Sequence, residues 1–372
     1  MSMYTMHECD ENEWQEILPT LPDPHFLQSS EWARVKINSG WFATYKVWKS
    51  SDGSIVGGAM ILEKQLNLRI LPMKILIQYI PKGPLLNWNN YDLVENVLQD
   101  ISDQSKNRKA IFTKMDPDII IENQMISCSA NSEIYYSEKI SSQLIQAGWH
   151  FSEDQIQFQN TVWVDLEQDE EKILVNMKQK SRYNIRLAEK KGVKIRVAKV
   201  DEYPIIYNLY AETSIRDNFI IRSKNYYLEL WKTFTEAGIC EILVAEFEGL
   251  PIAGLVIYYF GTRAFYIYGM SSNKHRNLMS TYLIQWEAIK RAKQKGMKVY
   301  DLWGAPAKLE DTDPMWGVYR FKLGLGGSLI RTIGAWDFTS RKNLYILYQK
   351  ILPKILNIFR FFGRMKTQQS ID

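Results

Sequence analysis

From Ile239 to Met270 the chain runs through three apolar, strand-like stretches, joined by turns at Glu248-Gly249 and Gly261-Thr262. A helical period follows in "STYLIQWEAIKRAKQKG", with Tyr282, Leu283, Trp286, Ile289 and Ala292 on one face. Gly296 closes it and a further strand comes next, in "KVYDLW". Alternation buries one face of a strand, whereas i, i+3, i+4 spacing buries one stripe of a helix. A strand, an amphipathic helix and another strand in succession must pack as helix on sheet, which restricts this region to a layered α/β architecture.

The segments before it extend the pattern. "NTVWVDL" reads as a strand, "EKILVNMKQKSRYNIRLAEKKG" as one helical stretch ended by Gly192, "VKIRVA" as a strand, and "DEYPIIYNLYAETSIR" as a helix. The first half repeats this order less sharply. It has a helix in "ENEWQEIL", a hairpin around Ser51-Asp52-Gly53, strands in "KILIQYI" and "KAIFTKMDP", and a helix near "YDLVENVLQDISDQSKN". The expected fold is therefore mixed α/β (α+β), with two tandem N-acetyltransferase-like domains. We place their boundary between Ala147 and Gln159, where a polar stretch precedes the new strand.

With 372 residues, 46% of them apolar, the chain has enough material for two cores. A net charge of +4 is too small to mark a dedicated nucleic-acid protein, so a polyanion site would have to come from local clustering. "KQKSRYNIRLAEKKGVKIR" supplies it. If Met177 to Lys191 is helical, Lys178, Arg182, Arg186 and Lys190 recur every four residues as a basic ridge, while Val175, Ile185 and Ala188 face inward. Such a ridge suits RNA phosphates; the competing reading is a solvated face.

Cys9, Cys128 and Cys240 form no paired motif, and His7, His25, His150 and His275 are isolated, so we expect neither a disulfide framework nor a metal site. An acidic N-terminus without an apolar run leads to the expectation of a cytoplasmic protein. "LYILYQKILPKILNIFRFFGRMK" is interrupted by Gln349, Lys350, Pro353, Lys354 and Arg360, which argues against a span. Docking on the body and peripheral contact with the inner membrane leaflet both stay open for it.

An acyl-CoA-dependent enzyme of this fold needs a glycine-rich turn before its long helix, so that backbone amides can approach a pyrophosphate. The chain instead has "HRNLMSTYLIQW", with Leu278 and Met279 in the way. No serine-nucleophile elbow or nucleotide-phosphate loop occurs either. We expect no cofactor, and an acyl donor that is already activated, such as an ester.

Seven stretches together resemble the Fem family (FemA, FemB, FemX) of tRNA-dependent peptidoglycan aminoacyltransferases: "FLQSSEWARVKINSGW", "YIPKGPLL", "KMDP", "KQKSRYNIRLAEKKGV", "RDNFIIRSKNYY", "YLIQWEAIKRAKQKGMKVYDLWGAP" and "WGVYRFKLGLGG". A coiled-coil arm is absent, which is similar to the FemX end of the family, and the resemblance implies a C-terminal helix that returns to the first domain, giving one domain over 1–155 plus 336–372 and a second over 156–335. The resemblance implies transfer of an amino acid from aminoacyl-tRNA to an amine on a peptidoglycan precursor stem, either UDP-MurNAc-pentapeptide or lipid II, by a monomer. It implies Lys322 near the transferred acyl group, where a cation would stabilise the tetrahedral oxyanion. Asp116 matches a carboxylate suggested as base. Lys36, Arg222 and Tyr226 match positions that contact precursor phosphates. Of Tyr258, Tyr259, Tyr266 and Tyr268, strand alternation lets only some meet ligand, and Tyr258 is taken as the contact. The basic ridge would take the tRNA acceptor stem. Two alternatives remain: an acyl-CoA-dependent N-acyltransferase, and a non-catalytic RNA- or membrane-surface-binding protein.

Overall fold

The computed structural model describes residues 3–67, 74–125 and 130–350, with side chains at 67–74 and 126–136 left aside. The chain divides into two compact units, Met1–Asn160 with Ile330–Lys350, and Thr161–Leu329.

The first unit contains β1 (Tyr4–Cys9), α1 (Glu11–Ile17), α2 (Ser30–Ile37), β2 (Trp41–Ser50), β3 (Ile55–Asn67), β4 (Lys74–Ile80), β5 (Leu85–Leu86), α3 (Tyr91–Asn107), β6 (Ala110–Met115), β7 (Ile120–Asn123), α4 (Ala130–Gln146) and β8 (Trp149–Phe151). The chain continues through β9 (Asn160–Asp165), α5 (Glu170–Asn176), α6 (Gln179–Lys190), β10 (Lys194–Val197), α7 (Tyr203–Arg216), α8 (Lys224–Glu236), β11 (Cys240–Phe247), β12 (Leu250–Phe260), β13 (Arg263–Ser271), α9 (Ser280–Gln294), β14 (Val299–Asp301) and α10 (Trp316–Gly324). It closes with β15 (Ser328–Thr332) and β16 (Trp336–Thr339).

Both units use one device. In the first, β2, β3 and β4 form an antiparallel meander, α3 crosses over, and β6 returns parallel to β4. In the second, β11, β12 and β13 form the meander, α9 crosses over, and β14 returns parallel to β13. A parallel return requires a crossover, and an amphipathic helix laid on the sheet supplies it. α3 buries Leu93, Val94, Val97, Leu98 and Ile101; α9 buries Leu283, Ile284, Trp286, Ile289 and Ala292. Their entries differ. The Asn90 side chain caps α3 by accepting from Leu93 N–H, whereas α9 starts after Met279 with no side-chain cap.

Gln28, fully buried in "FLQSSEW", ties the first unit together. It accepts from Met60 N–H at 2.6 Å and donates to the Pro81 carbonyl at 2.5 Å, while its own carbonyl accepts from Trp14 Nε1 at 2.8 Å. Gly58 leaves room for this arrangement, since a Cβ there would meet Trp14 at 2.8 Å and Leu21 at 2.7 Å.

Two expectations are corrected. The stretch from Glu170 to Lys190 is two helices, broken at Met177-Lys178, so the ridge helix starts at Gln179 with Lys178 as its cap. The break turns Val175 outward, 65% exposed, while Ile185 and Ala188 are buried as expected. Residues 342–350 are helical, and Tyr345 and Tyr348 pack on Phe112. The C-terminal segment expected to continue from there lies, from 351 onward, outside the described residues. No helix among the described residues is long and apolar enough to cross a membrane.

Candidate active site

Lys322 sits near the C-terminus of α10, buried to 4% exposure. Its Nζ donates to the carbonyls of Trp303 at 2.8 Å and Gly304 at 2.5 Å. An ammonium has three N–H donors, so these bonds leave one for a further acceptor. Burial pulls the Lys322 pKa down to about 7, opposed by the negative charge of Asp301. The carbonyls come from the turn after β14, a run to which the sequence assigned no role. The missed signal is backbone geometry: Trp303 adopts a left-handed conformation at φ 60°, which no residue type announces. The glycines after Lys322 are needed for space, since a Cβ on Gly327 would collide with Val162.

α10 also contributes Gly317, Val318 and Phe321 to a cavity of about 680 Å³ in the second unit. Met279, Ser280 and Thr281 at the start of α9 form another part of its wall, along with Arg216, Tyr266 and Gln285. Because α9 has no side-chain cap, its first-turn amides lack a side-chain acceptor. Lys322 does not line this cavity; its side chain turns to the Trp303-Gly304 carbonyls instead. Tyr266 does line it, and Gly269 makes room, since a Cβ there would overlap the Tyr266 hydroxyl.

The basic helix reaches the same cavity through Lys180 and Asn184. Lys178, Arg186 and Lys190 are exposed, as the ridge requires. Arg182 departs from it. Its Nη1 donates to the Val175 carbonyl at 2.8 Å and to Met177 O, closing the C-terminus of α5, where orphan carbonyls need a donor.

Arg222 lies before α8 rather than within it, exposed, with its guanidinium 4.8 Å from the Tyr226 ring centroid. Arg222 and Tyr226 thus meet by stacking across a helix start. Tyr258 is corrected. It is 1% exposed and packs edge-on against Phe234 at 5.0 Å, on the face of β12 turned into the core. Tyr266 and Tyr268 on β13 are half-buried instead, at a point where the β12–β13 register shifts, with Tyr268 packed against Tyr227 and Trp231.

In the first unit, Lys36 lies in the last turn of α2, half-buried, with Nζ 4.3 Å from the Trp32 ring centroid. Asp116 follows β6 and is 3% exposed. Its Oδ2 accepts from the Tyr79 hydroxyl at 2.7 Å and its Oδ1 from Lys82 N–H at 2.6 Å, while Lys82 Nζ pairs with Asp118 at 3.1 Å. Burial raises its pKa to about 6, against the Lys82 charge and both hydrogen bonds. "YIPKGP" and "KMDP" are therefore one structural unit, with Asp116 tying the Lys82 loop, where Lys82 itself is left-handed at φ 50°. Among the described residues no three His, Cys, Asp or Glu side chains cluster as a metal site.

Two units, each a meander, a crossover helix and a parallel strand, define a tandem N-acyltransferase-like protein. The chain belongs to the FemAB family, matching it over residues 10–248 and 241–352. A lipid II:glycine glycyltransferase of Staphylococcus epidermidis is 22% identical over 395 aligned positions, covering 90% of this chain and 92% of the relative. One of Staphylococcus aureus is 20% identical over 400 positions, with the same coverage. Among solved structures, FemX superimposes with a TM-score of 0.80 at 20% identity, covering 92% of this chain and 99% of the other. A tandem GNAT protein from the clavulanic acid biosynthesis pathway gives 0.51 at 12% identity, covering 91% and 98%.

Proposed function

We infer that the protein is an aminoacyltransferase that moves an amino acid from the 3′ ester of aminoacyl-tRNA to an amine on the stem peptide of a peptidoglycan precursor. The relatives' names make glycine and lipid II the first pair to test. One observation carries the reading beyond family membership. α6 turns exposed Arg186 and Lys190 to solvent, with exposed Lys178 as its cap, while Lys180 and Asn184 of the same helix line the cavity at the start of α9. A duplex stem needs phosphate contacts that are blind to sequence, and its single-stranded end needs a pocket nearby. One helix offers both.

In this reading Lys322 supplies positive charge to the oxyanion that forms when the amine attacks the ester carbonyl, in a site poor in water. Arg222 and Lys36 are assigned to precursor phosphates, Arg222 stacked on Tyr226 and so ordered in advance. Met279 at the entry to α9, in place of a glycine, disfavours the close backbone approach of a CoA pyrophosphate.

The experiment supplies purified protein with tRNA charged with radiolabelled glycine and with lipid II in detergent. The expected result is labelled lipid II, abolished when the donor is first treated with RNase. Product that survives RNase, or that forms from acyl-CoA instead, overturns the reading.

A further inference from the structure

Asp301 ends β14 at 3% exposure. Its Oδ1 accepts from Trp303 N–H at 2.7 Å, two residues on, and from the Thr161 hydroxyl on β9. A side-chain oxygen bonded to the amide two residues later defines an Asx turn. It holds Trp303 in a left-handed conformation that a bulky residue keeps only when its surroundings impose it. The Trp303 ring is held edge-on to Phe265 at 6.1 Å. With the turn closed in this way, the Trp303 and Gly304 carbonyls both meet Lys322 Nζ.

We propose that Asp301 is a positioning residue for Lys322: its carboxylate builds the turn whose two carbonyls grip the ammonium and leave one N–H for the reaction. The proposal rests on Lys322 being the cation of the transfer step. The carboxylate also acts through space, being the charge that opposes the loss of the Lys322 proton on burial. Other charged groups near these elements are placed differently. Arg263 of β13 lies over the Trp163 and Phe265 rings, at 5.5 and 5.2 Å. Arg320 of α10 and Lys308, Glu310 and Asp311 of the preceding loop are exposed and screened by water.

The test compares wild-type full-length protein with Asp301→Asn, which keeps an oxygen for both hydrogen bonds but removes the charge. Lysine side chains carry ¹³C at Cε, and the Lys322 signal is assigned by its absence in Lys322→Arg. The expected result is that the Lys322 titration moves to lower pH by about one unit in Asp301→Asn. The alkaline limb of the transfer rate should move with it, giving about a tenfold loss relative to wild type at pH 8 and near-equal rates at pH 5.5. Asp301→Glu keeps the charge and misplaces the turn, so its titration stays near that of wild type while kcat falls. An unchanged titration in a folded Asp301→Asn protein, or a rate loss equal at every pH, overturns the proposal. Should Asp301→Asn fail to fold, an unchanged kcat in Asp301→Glu does the same. A shifted titration in a protein that transfers nothing from aminoacyl-tRNA would leave the Asp301–Lys322 coupling standing and remove the functional reading instead.

Discussion

Asp116 in the first unit and Lys322 in the second face the same cost, a charge taken out of water, and their partners differ in kind. The Asp116 carboxylate accepts from a tyrosine hydroxyl and a backbone amide, two donors that the fold needs satisfied. Lys322 donates to two carbonyls and keeps one N–H in hand. Burial drives both pKa values toward neutrality, to about 6 and about 7. Burial alone therefore does not separate the two; what differs is that Lys322 has a donor left over.

The widest gap between the two sites should appear on replacing Lys322 with methionine, which fills the space without the charge. We expect kcat to fall about 10²–10³-fold with KM little changed, as for loss of an oxyanion-stabilising group. A fall under tenfold in steady-state transfer would erase the distinction. Asp116→Ala should cost stability rather than chemistry. It strands the Tyr79 hydroxyl and the Lys82 amide, each worth about 1–3 kcal/mol when buried without a partner. Denaturant unfolding should show the loss while kcat per folded molecule stays near wild type, and a collapse of kcat in a stable protein would make Asp116 a reacting group.

The pH dependence of unfolding separates the sites by sign. Asp116 has a folded pKa above its ordinary 3.8, so the stability it contributes is full below that value and is lost as pH rises through about 6. Lys322 has a folded pKa below its ordinary 10.5, so its contribution is present above that value and is lost as pH falls through about 7. Asp116→Asn should flatten the acidic slope and Lys322→Met the alkaline one. The smallest effect concerns the ridge. Alanine at Lys178, Arg186 or Lys190 should each lower the salt dependence of donor binding by about 0.7–0.9 in log–log slope. Arg182→Ala should instead lower the melting temperature, because its guanidinium closes α5.

Local pattern was enough to find the meanders, the crossover helices and the glycine that stops α9, whereas α3 ends at Arg108 with left-handed Lys109 after it. The hairpin at Ser51-Asp52-Gly53 forms with Gly53 at φ 86°, and α9 ends before Gly296 at φ 76°. Pattern failed where two chain segments compete for one stretch. Arg182 reads as a ridge member by spacing, but the carbonyls of α5 bind its head. Tyr258 and Tyr266 look alike on alternating strands, and only the packing of α8, through Phe234, decides that Tyr258 is the buried one.

The amino-acid order by itself determined the periodicities, the repeated strand–helix–strand plan and the family to which the chain belongs, because these depend on neighbours within a few residues. The tertiary structure alone decided that a lysine on α10 meets two carbonyls from a left-handed turn after β14, braced by Asp301 and by Thr161, 140 residues earlier in the chain. Electrostatics in a dry interior depends on which groups converge in space, and sequence spacing carries no record of that convergence.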